Sequence, residues 1–479
     1  MPKQISDPFN PSLVEVITAT LYPWRKESSE DGIDIRPQIV GFDFEQSIDK
    51  TGITGTIRLH DRVGILEGIM RDTENNTNML KPLRGEERLQ WKMKGFDYGT
   101  EVDLDLFVYR IDNITPTTNV DGKEFSLHVM SWPAWYAVTS TVLEPFKNKK
   151  GHEIVKKIFD DYVSPLTNSS FENETPPAVF PTDVYRIKDT GDWTDRSLVV
   201  QHTEGLFNVI IPSYNVPQAM NFIAKKSYSS KSPSCMYRFF ETWDNFYFVT
   251  DEWLILFANQ NEDNIINLTY NPHVSKDGRA AEEQVKAIES LSYTKRTDSI
   301  DDLYSGGYVN QVMEIDLIDG DIIYKDFDDL FDEGFYGMNG ERLTKLTNEE
   351  FDIHTETFIL DNYRVDNKPK FMVIKDWLDS SSGQTTRGNQ FFAEVASRRL
   401  AYHHRINRTP LAVSLKGRLD ITAGQIVDLT IDDMSSVNKA TEKQNDQLRG
   451  KYLVSSVYTK FDNNILTTNL TLIKYNWSV

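Results

Sequence analysis

The sequence predicts a mainly β protein with α+β insertions, built around one β-barrel-like or sandwich unit that occurs twice. Three observations predict it. Two stretches far apart in the chain carry the same order of strand signals. Within both, apolar and polar residues alternate with the period of two that a half-buried strand requires. The segment between them mixes helical spacing with strand alternation, as a compact α+β module does. Identity between the copies is negligible, so the match is one of order and alternation, which unrelated all-β domains also share.

Residues 1–12 read as a flexible arm and residues 13–22 (LVEVITATLY) as a leading strand. Residues 39–59 read as a hairpin around a Lys50-Thr51-Gly52 turn. A short helix-like piece (63–70) follows, then strands over 85–91, 106–111 and 125–129. Residues 132–146 form an apolar, turn-rich connector. Residues 151–163 place Ile154, Val155, Ile158, Phe159 and Tyr162 at helical spacing, which predicts a packing helix. Residues 164–182, rich in Pro, Ser and Asn, read as a loop. Residues 218–227 read as a short helix, and 237–249 as a hairpin whose Asp244-Asn245 is compatible with a type I′ turn. The second copy opens with a hairpin over 288–317, continues with a helix over 389–405, and ends in strands over 411–417, 423–429, 452–457 and 468–472.

The boundaries that follow are an arm at 1–12, a first β domain at 13–145 and a middle module at 146–285. A second β domain is split between 286–317 and 385–479, around an insertion at 318–384.

The chain has 479 residues, 39% of them hydrophobic, enough for more than one core and against wholesale disorder. No run of 18 apolar residues predicts a membrane-spanning segment. The N-terminus lacks the apolar stretch of a secretory signal, and the single cysteine, Cys235, allows no internal disulfide, so synthesis in a reducing cytoplasm is expected. The net charge of −20 is spread along the chain and argues against binding a nucleic-acid backbone, which needs clustered Lys and Arg. A soluble surface accounts for it, as does a channel lining that does not hold a polyanion.

Motifs for chemistry are sparse. His152-Glu153 lacks the second histidine of a zinc helix, since Lys156 stands there. His403 and His404 are adjacent and point to different sides of a helix. Neither the acidic run 316–321 nor 326–333 follows the ligand order of an EF-hand. Cys235 reads as buried filler. No catalytic, cofactor or metal residue is assigned. In the stretch DFDDLFDEGFY, the residues Asp326, Phe327, Leu330, Phe331 and Phe335 form a candidate amphipathic partner-docking segment. Paired carboxylates for glycoside hydrolysis can arise in any acidic chain and need two acids facing across a cleft.

Taken together, residues 411–417, 420–429 and 450–457 follow a strand, a glycine turn into a second strand, and a Gly450-Lys451-Tyr452-Leu453-Val454 third strand. This closing pattern, with the proline-led helix and aromatic hairpin of 210–249, resembles the central baseplate hub proteins of contractile-tailed bacteriophages, which are related to the hub part of contractile secretion-system spikes. The resemblance implies two tail-tube-like domains per chain and a homotrimer whose ring adapts a three-fold spike to a six-fold tail tube. It implies no enzymatic activity and no cofactor. It also implies a separate spike or needle protein as partner, because the chain ends soon after its last predicted strand. Tail tube or tube-initiator, tape-measure and baseplate wedge proteins are the other implied partners, and DNA passes through without specific binding. The implied location is the virion tail baseplate, assembled in the host bacterial cytoplasm. Two other classes stand beside it: a cell-wall carbohydrate hydrolase and a receptor-binding adhesin.

Overall fold

The structure, a computed structural model, describes residues 14–22, 32–67, 82–95, 99–117, 122–163, 166–170, 180–187, 196–260, 262–271, 281–293, 310–315, 320–327, 338–339, 370–374, 392–407, 410–431 and 448–474. The protein is mainly β. Its first unit contains β1 (Val14–Tyr22), β2 (Ile33–Asp34), β3 (Ile39–Ser47), β4 (Thr54–Asp61), β5 (Arg88–Gly95), β6 (Glu101–Pro116) and β7 (Lys123–Ser131). Strict alternation makes these strands amphipathic. In β4 and β5 every second side chain is buried. Phe42, Phe44 and Trp91 meet in the core, with the tryptophan edge-on to the phenylalanines at 4.9 and 5.5 Å. Each such ring pair adds about 0.5–1.5 kcal/mol beyond area burial.

The middle module begins with α1 (Trp132–Thr139), β8 (Thr141–Val142), β9 (Pro145–Lys149) and α2 (Gly151–Tyr162). It continues through β10 (Leu166–Ser170), β11 (Thr182–Ile187), β12 (Ser197–Gln201), β13 (Phe207–Ile210) and β14 (Tyr214–Asn215). It ends with α3 (Val216–Lys226), β15 (Tyr237–Glu241), β16 (Asn245–Thr250) and α4 (Asp251–Asn259). Five strands form one sheet in the order β10-β11-β12-β16-β15. The apolar faces of α2 and α3 share a core with that sheet, including Ile158, Phe159, Met220 and Phe248. Asn215 and Gln218 cap α3 reciprocally, each side chain accepting the other's backbone N–H at 2.9 and 3.2 Å.

The second unit comprises β17 (Ile265–Tyr270), α5 (Ala281–Lys286), β18 (Ile288–Tyr293), β19 (Asn310–Ile315), β20 (Ile322–Phe327), β21 (Lys370–Ile374), α6 (Phe392–Ile406), β22 (Leu411–Lys416), β23 (Ile426–Ile431), β24 (Gly450–Asp462) and β25 (Ile465–Ile473). Six of these strands reproduce the first unit. The first unit is ordered β1-β5-β6-β7-β4-β3 and the second β17-β23-β24-β25-β22-β18. With the two-residue edge strand β2 left out and the six strands of each unit counted along the chain, both run first, fourth, fifth, sixth, third, second. Even the register breaks recur: Val108/Arg110 in β6 matches Val454/Ser456 in β24, and Ile39/Gly41 in β3 matches Ile288/Ser290 in β18. Each sheet curls back towards its first strand, through Ile35 N donating to Ala19 O at 2.9 Å in one unit and a Thr269–Ala287 bridge in the other. One difference stands out: β1 runs antiparallel to β5, whereas β17 runs parallel to β23.

Several expectations need correction. The 288–317 hairpin does not form. β18 pairs with β22, while β19 joins β20 and β21 in a separate three-stranded sheet beside α6. Alternation identifies a strand but not its partner. Residues 63–67 form turns, not helix, because the Asp61 carboxylate accepts the N–H groups of Val63, Gly64 and Leu66; residues 68–70 lie outside the described residues. The 132–146 connector contains α1, begun by Ser131 accepting from Ala134 N. The 164–182 loop contains β10, an edge strand paired with β11. The 237–249 hairpin has no type I′ turn, since neither Asp244 nor Asn245 has positive φ. Instead the Thr242 hydroxyl accepts the N–H of both Asp244 and Asn245 and closes the loop. The helix α4 had no counterpart in the sequence reading. Strand β17, within 146–285, pairs with β23. The arm at 1–12 lies outside the described residues.

Candidate assembly surface and the junction behind it

The two units are one sheet of 13 strands because β24 pairs antiparallel with β3, from Ser456 opposite Ser47 to Asp462 opposite Gly41. β24 forks: residues 450–453 pair with β23 and residues 456–462 with β3. On the core side of this joint Phe42 stacks on Phe461 at 5.1 Å. On the other side Arg58 of the first unit reaches Asp462 of the second at 3.0 Å. Gly41 permits that reach, since a Cβ there would lie 2.5 Å from the Arg58 guanidinium and 2.8 Å from Phe461 O.

Register makes the solvent-facing side continuous across both units. Lys460, Asp43, Thr56 and His128 lie successively opposite one another from β24 through β3 and β4 to β7, with Arg110 next on β6. Charges on this face are laced together. Arg88 meets Asp105 at 2.7 Å, Lys92 and Lys94 both lie 3.2 Å from Glu101, Arg110 meets Asp112, and His128 lies 2.9 Å from the same aspartate. The Arg58 hydrogen bond holds the Asp462 carboxyl below its usual range, while burial raises that of Asp43.

Behind the joint, the β3–β4 turn is where three parts of the chain meet. Ile48 N donates to Ser455 O of β24 at 3.0 Å. Asp49 accepts from Arg238 of the middle module, whose guanidinium also grips Asp251 at 2.6 and 3.1 Å. Ile53 N donates to Glu241 Oε2 at 3.1 Å, and Ser131 Oγ donates to the same oxygen at 2.5 Å. Arg196 completes the site, donating to Glu241 Oε1 at 2.7 Å. A Cβ on Gly52 would lie 2.2 Å from that of Ala134, so the turn needs glycine to seat against α1. On the other flank, Arg399 of α6 donates to the carbonyls of Lys225, Ser227 and Cys235. The arrangement clamps the middle module to both units.

The buried carboxylates, the groups an acidic chain would use for chemistry, do structural work. Asp61, Glu87, Glu241 and Glu252 are buried, and each accepts hydrogen bonds from backbone N–H groups. Cys235 is buried, its thiol pushed up to about 11 by that burial, and it donates to Ser232 O at 3.0 Å. No group of three or more His, Cys, Asp or Glu able to hold a metal occurs among the described residues. Nor is any helix there long and apolar enough to cross a membrane. Of the docking candidates, Asp326 lies on β20 and accepts from Gln311 Nε2 at 2.8 Å. Phe327 ends that strand, and Leu330, Phe331 and Phe335 lie outside the described residues. The sequence reading missed the exposed Ile322, Ile323 and Tyr324 of β20, whose unbroken apolar run was the available signal.

His152, at the start of α2, has a pH consequence. Its Nδ1 accepts from Thr203 N at 2.9 Å, and its ring stacks on His202 at 4.6 Å. Burial, and then the neighbouring His202, push it down to about 4. Between pH 6.5 and 4 the unfolded chain binds a proton that the native one refuses, so stability rises with pH through that window and is lost as pH falls. The contribution is roughly 2 kcal/mol after allowing for solvent screening. Urea unfolding at pH 7 and pH 4.5 should show His152→Phe losing less stability on acidification than the parent chain. Equal losses would remove His152 from the account.

No family model matches the chain, and no curated protein matches it by sequence. Solved structures similar to it include a tail protein from Neisseria meningitidis, with 9% identity, 96% of this chain and 97% of that one covered, and a TM-score of 0.49. Another is the 43 kDa tail protein of prophage MuSo2 from Shewanella oneidensis, with 8% identity, coverage of 96% and 98%, and a TM-score of 0.46. A third is an E. coli type VI secretion system component described as structurally similar to phage T4 tail proteins, with 9% identity, coverage of 97% and 77%, and a TM-score of 0.38.

Proposed function

We propose that the chain is a structural hub of a contractile phage tail baseplate, a trimer whose ring presents six quasi-equivalent units and so adapts a three-fold spike to a six-fold tube. The observation that carries this reading is the strand order repeated in one sheet with matching register breaks. Two copies of one unit joined at a fixed angle are what a symmetry adapter needs, because closed symmetry fixes how often each interface occurs. The continuous polar face would line the conduit. Its cations Arg58, Arg88, Lys92, Lys94 and Arg110 each sit beside a carboxylate, so a passing polyanion finds them already paired.

A spike or needle protein, the tail tube or its initiator, the tape-measure protein and the wedge proteins are the partners in this proposal. Docking by the segment of Asp326, Phe327, Leu330, Phe331 and Phe335 belongs to it as well, supported by exposed apolar side chains on β20. Assembly takes place in the host cytoplasm.

Native mass measurement tests the reading. A species of three times 55.2 kDa is expected, with six barrel-like densities in averaged images. A monomer at every concentration would overturn it, and turnover of peptidoglycan by the purified chain would promote the hydrolase reading instead.

A further inference from the structure

The middle module carries an exposed apolar face. Leu143 and Ile210, at 65% and 66%, are the two most exposed large apolar side chains among the described residues. They lie on one ribbon. Ile210 and Val209 of β13 stand opposite Pro145 and Phe146 of β9, Ile211 N donates to Glu144 O at 3.0 Å, and Tyr214 of β14 stands opposite Val142 of β8. Burial alternates along the ribbon: Val142, Phe146 and Ile211 enter the core shared with α2 and α3, while Leu143, Pro145, Ile210 and Pro212 face water. An exposed apolar row with polar residues beside it marks an interaction site.

Cations flank the row. β9 breaks register with β13 between Phe146 and Lys149, where Asn148 takes a φ of 53° and its N–H is held by Asn208 Oδ1 at 2.7 Å. A bulge re-aims the side chains around it. Here Lys147, Lys149 and Lys150 are all exposed. Between residues 141 and 152 the one acid is Glu144, and it is engaged by Lys157 at 2.7 Å and by Tyr162 at 2.8 Å. The flank is therefore positive, in a chain of net charge −20.

We infer that this ribbon seats an acidic, amphipathic segment of a partner protein, its apolar side chains on the row of Leu143 and Ile210 and its carboxylates against the lysines. Charge complementarity selects that occupant. A nucleic-acid backbone would use the lysines and leave the apolar row in water. A bilayer binds in proportion to the apolar area it takes up, and four side chains, two of them prolines, offer it little. A protein segment with both kinds of side chain satisfies the whole face.

Binding of a synthetic peptide to the full chain tests this surface. The probe has the sequence of residues 326–336, DFDDLFDEGFY, which sets five carboxylates among apolar side chains. Its counterpart carries Asn and Gln in place of Asp and Glu. Fluorescence anisotropy should show the acidic peptide binding about tenfold or more tightly than the neutral one, with the difference shrinking as salt is raised. Lys147→Glu with Lys149→Glu, and separately Leu143→Ser with Ile210→Ser, should each weaken binding by about tenfold or more. All four positions are exposed, so the thermal transition should stay in place. Equal binding of the two peptides, no binding up to peptide concentrations on the order of 1 mM, or full affinity in either variant overturns the proposal. Recruitment of the chain to vesicles of anionic phospholipid, without competition by the peptide, overturns it as well. Native mass is read on the same samples. Loss of a three-chain species in the Leu143→Ser, Ile210→Ser variant would assign the face to contacts between copies and overturn the proposal, whereas peptide binding by a monomeric chain upholds this surface and removes only the ring.

Discussion

Glu241→Ala is expected to destabilise the protein by about 3–5 kcal/mol, because it leaves a buried arginine without its counter-charge. Arg196 is buried and also donates to Thr242 O at 2.5 Å, so it has no route to water. Ile53 N and Ser131 Oγ lose their acceptor in the same step. Calorimetry should show the first thermal transition lowered by roughly 6–20 °C. Glu241 joins the middle module to the first unit, so proteolysis should release one from the other before either unfolds. Replacing both partners, as in Glu241→Leu with Arg196→Met, should recover most of the loss, since apolar substitutes for a buried ion pair are often neutral. If the single and double variants fall equally, shape and not charge holds the junction.

Thr459→Pro is expected to open the seam between the units. Thr459 is fully buried in β24, opposite Phe44 of β3 on one side and Thr468 of β25 on the other. Proline removes the backbone donor and is tolerated in sheets only at edges or bulges, so a loss of about 3 kcal/mol or more is expected. Hydrogen exchange should rise first along β3 and β24, and the proposed trimer should fail to assemble even where each unit keeps its core. Thr459→Val is the control. Its hydroxyl has no hydrogen-bond partner among the described residues, so valine should be neutral or slightly stabilising. Protection of β3 unchanged in the proline variant would mean that the seam does not depend on this pairing.

Strands were legible where neighbours in sequence decide the outcome. The β3–β4 hairpin, α2, α3 and α6 all follow from alternation or helical spacing. Contact between distant residues was not. Residues 288–293 and 310–315 look alike as apolar alternations, yet one extends the large sheet and the other lies under α6. The Glu241 site was invisible for the same reason: its four participants, Glu241, Arg196, Ser131 and Ile53, come from four separate stretches of the chain and share no motif.

By itself the sequence determined that this is a mainly β chain, because alternation and turn chemistry are local properties of each strand and its neighbours. Tertiary structure alone decided that six strands of one unit recur in the other, that both units share one sheet and where the charges are buried. Those outcomes depend on register between strands hundreds of residues apart, and the free energy of a strand edge is set by whatever partner the fold brings to it.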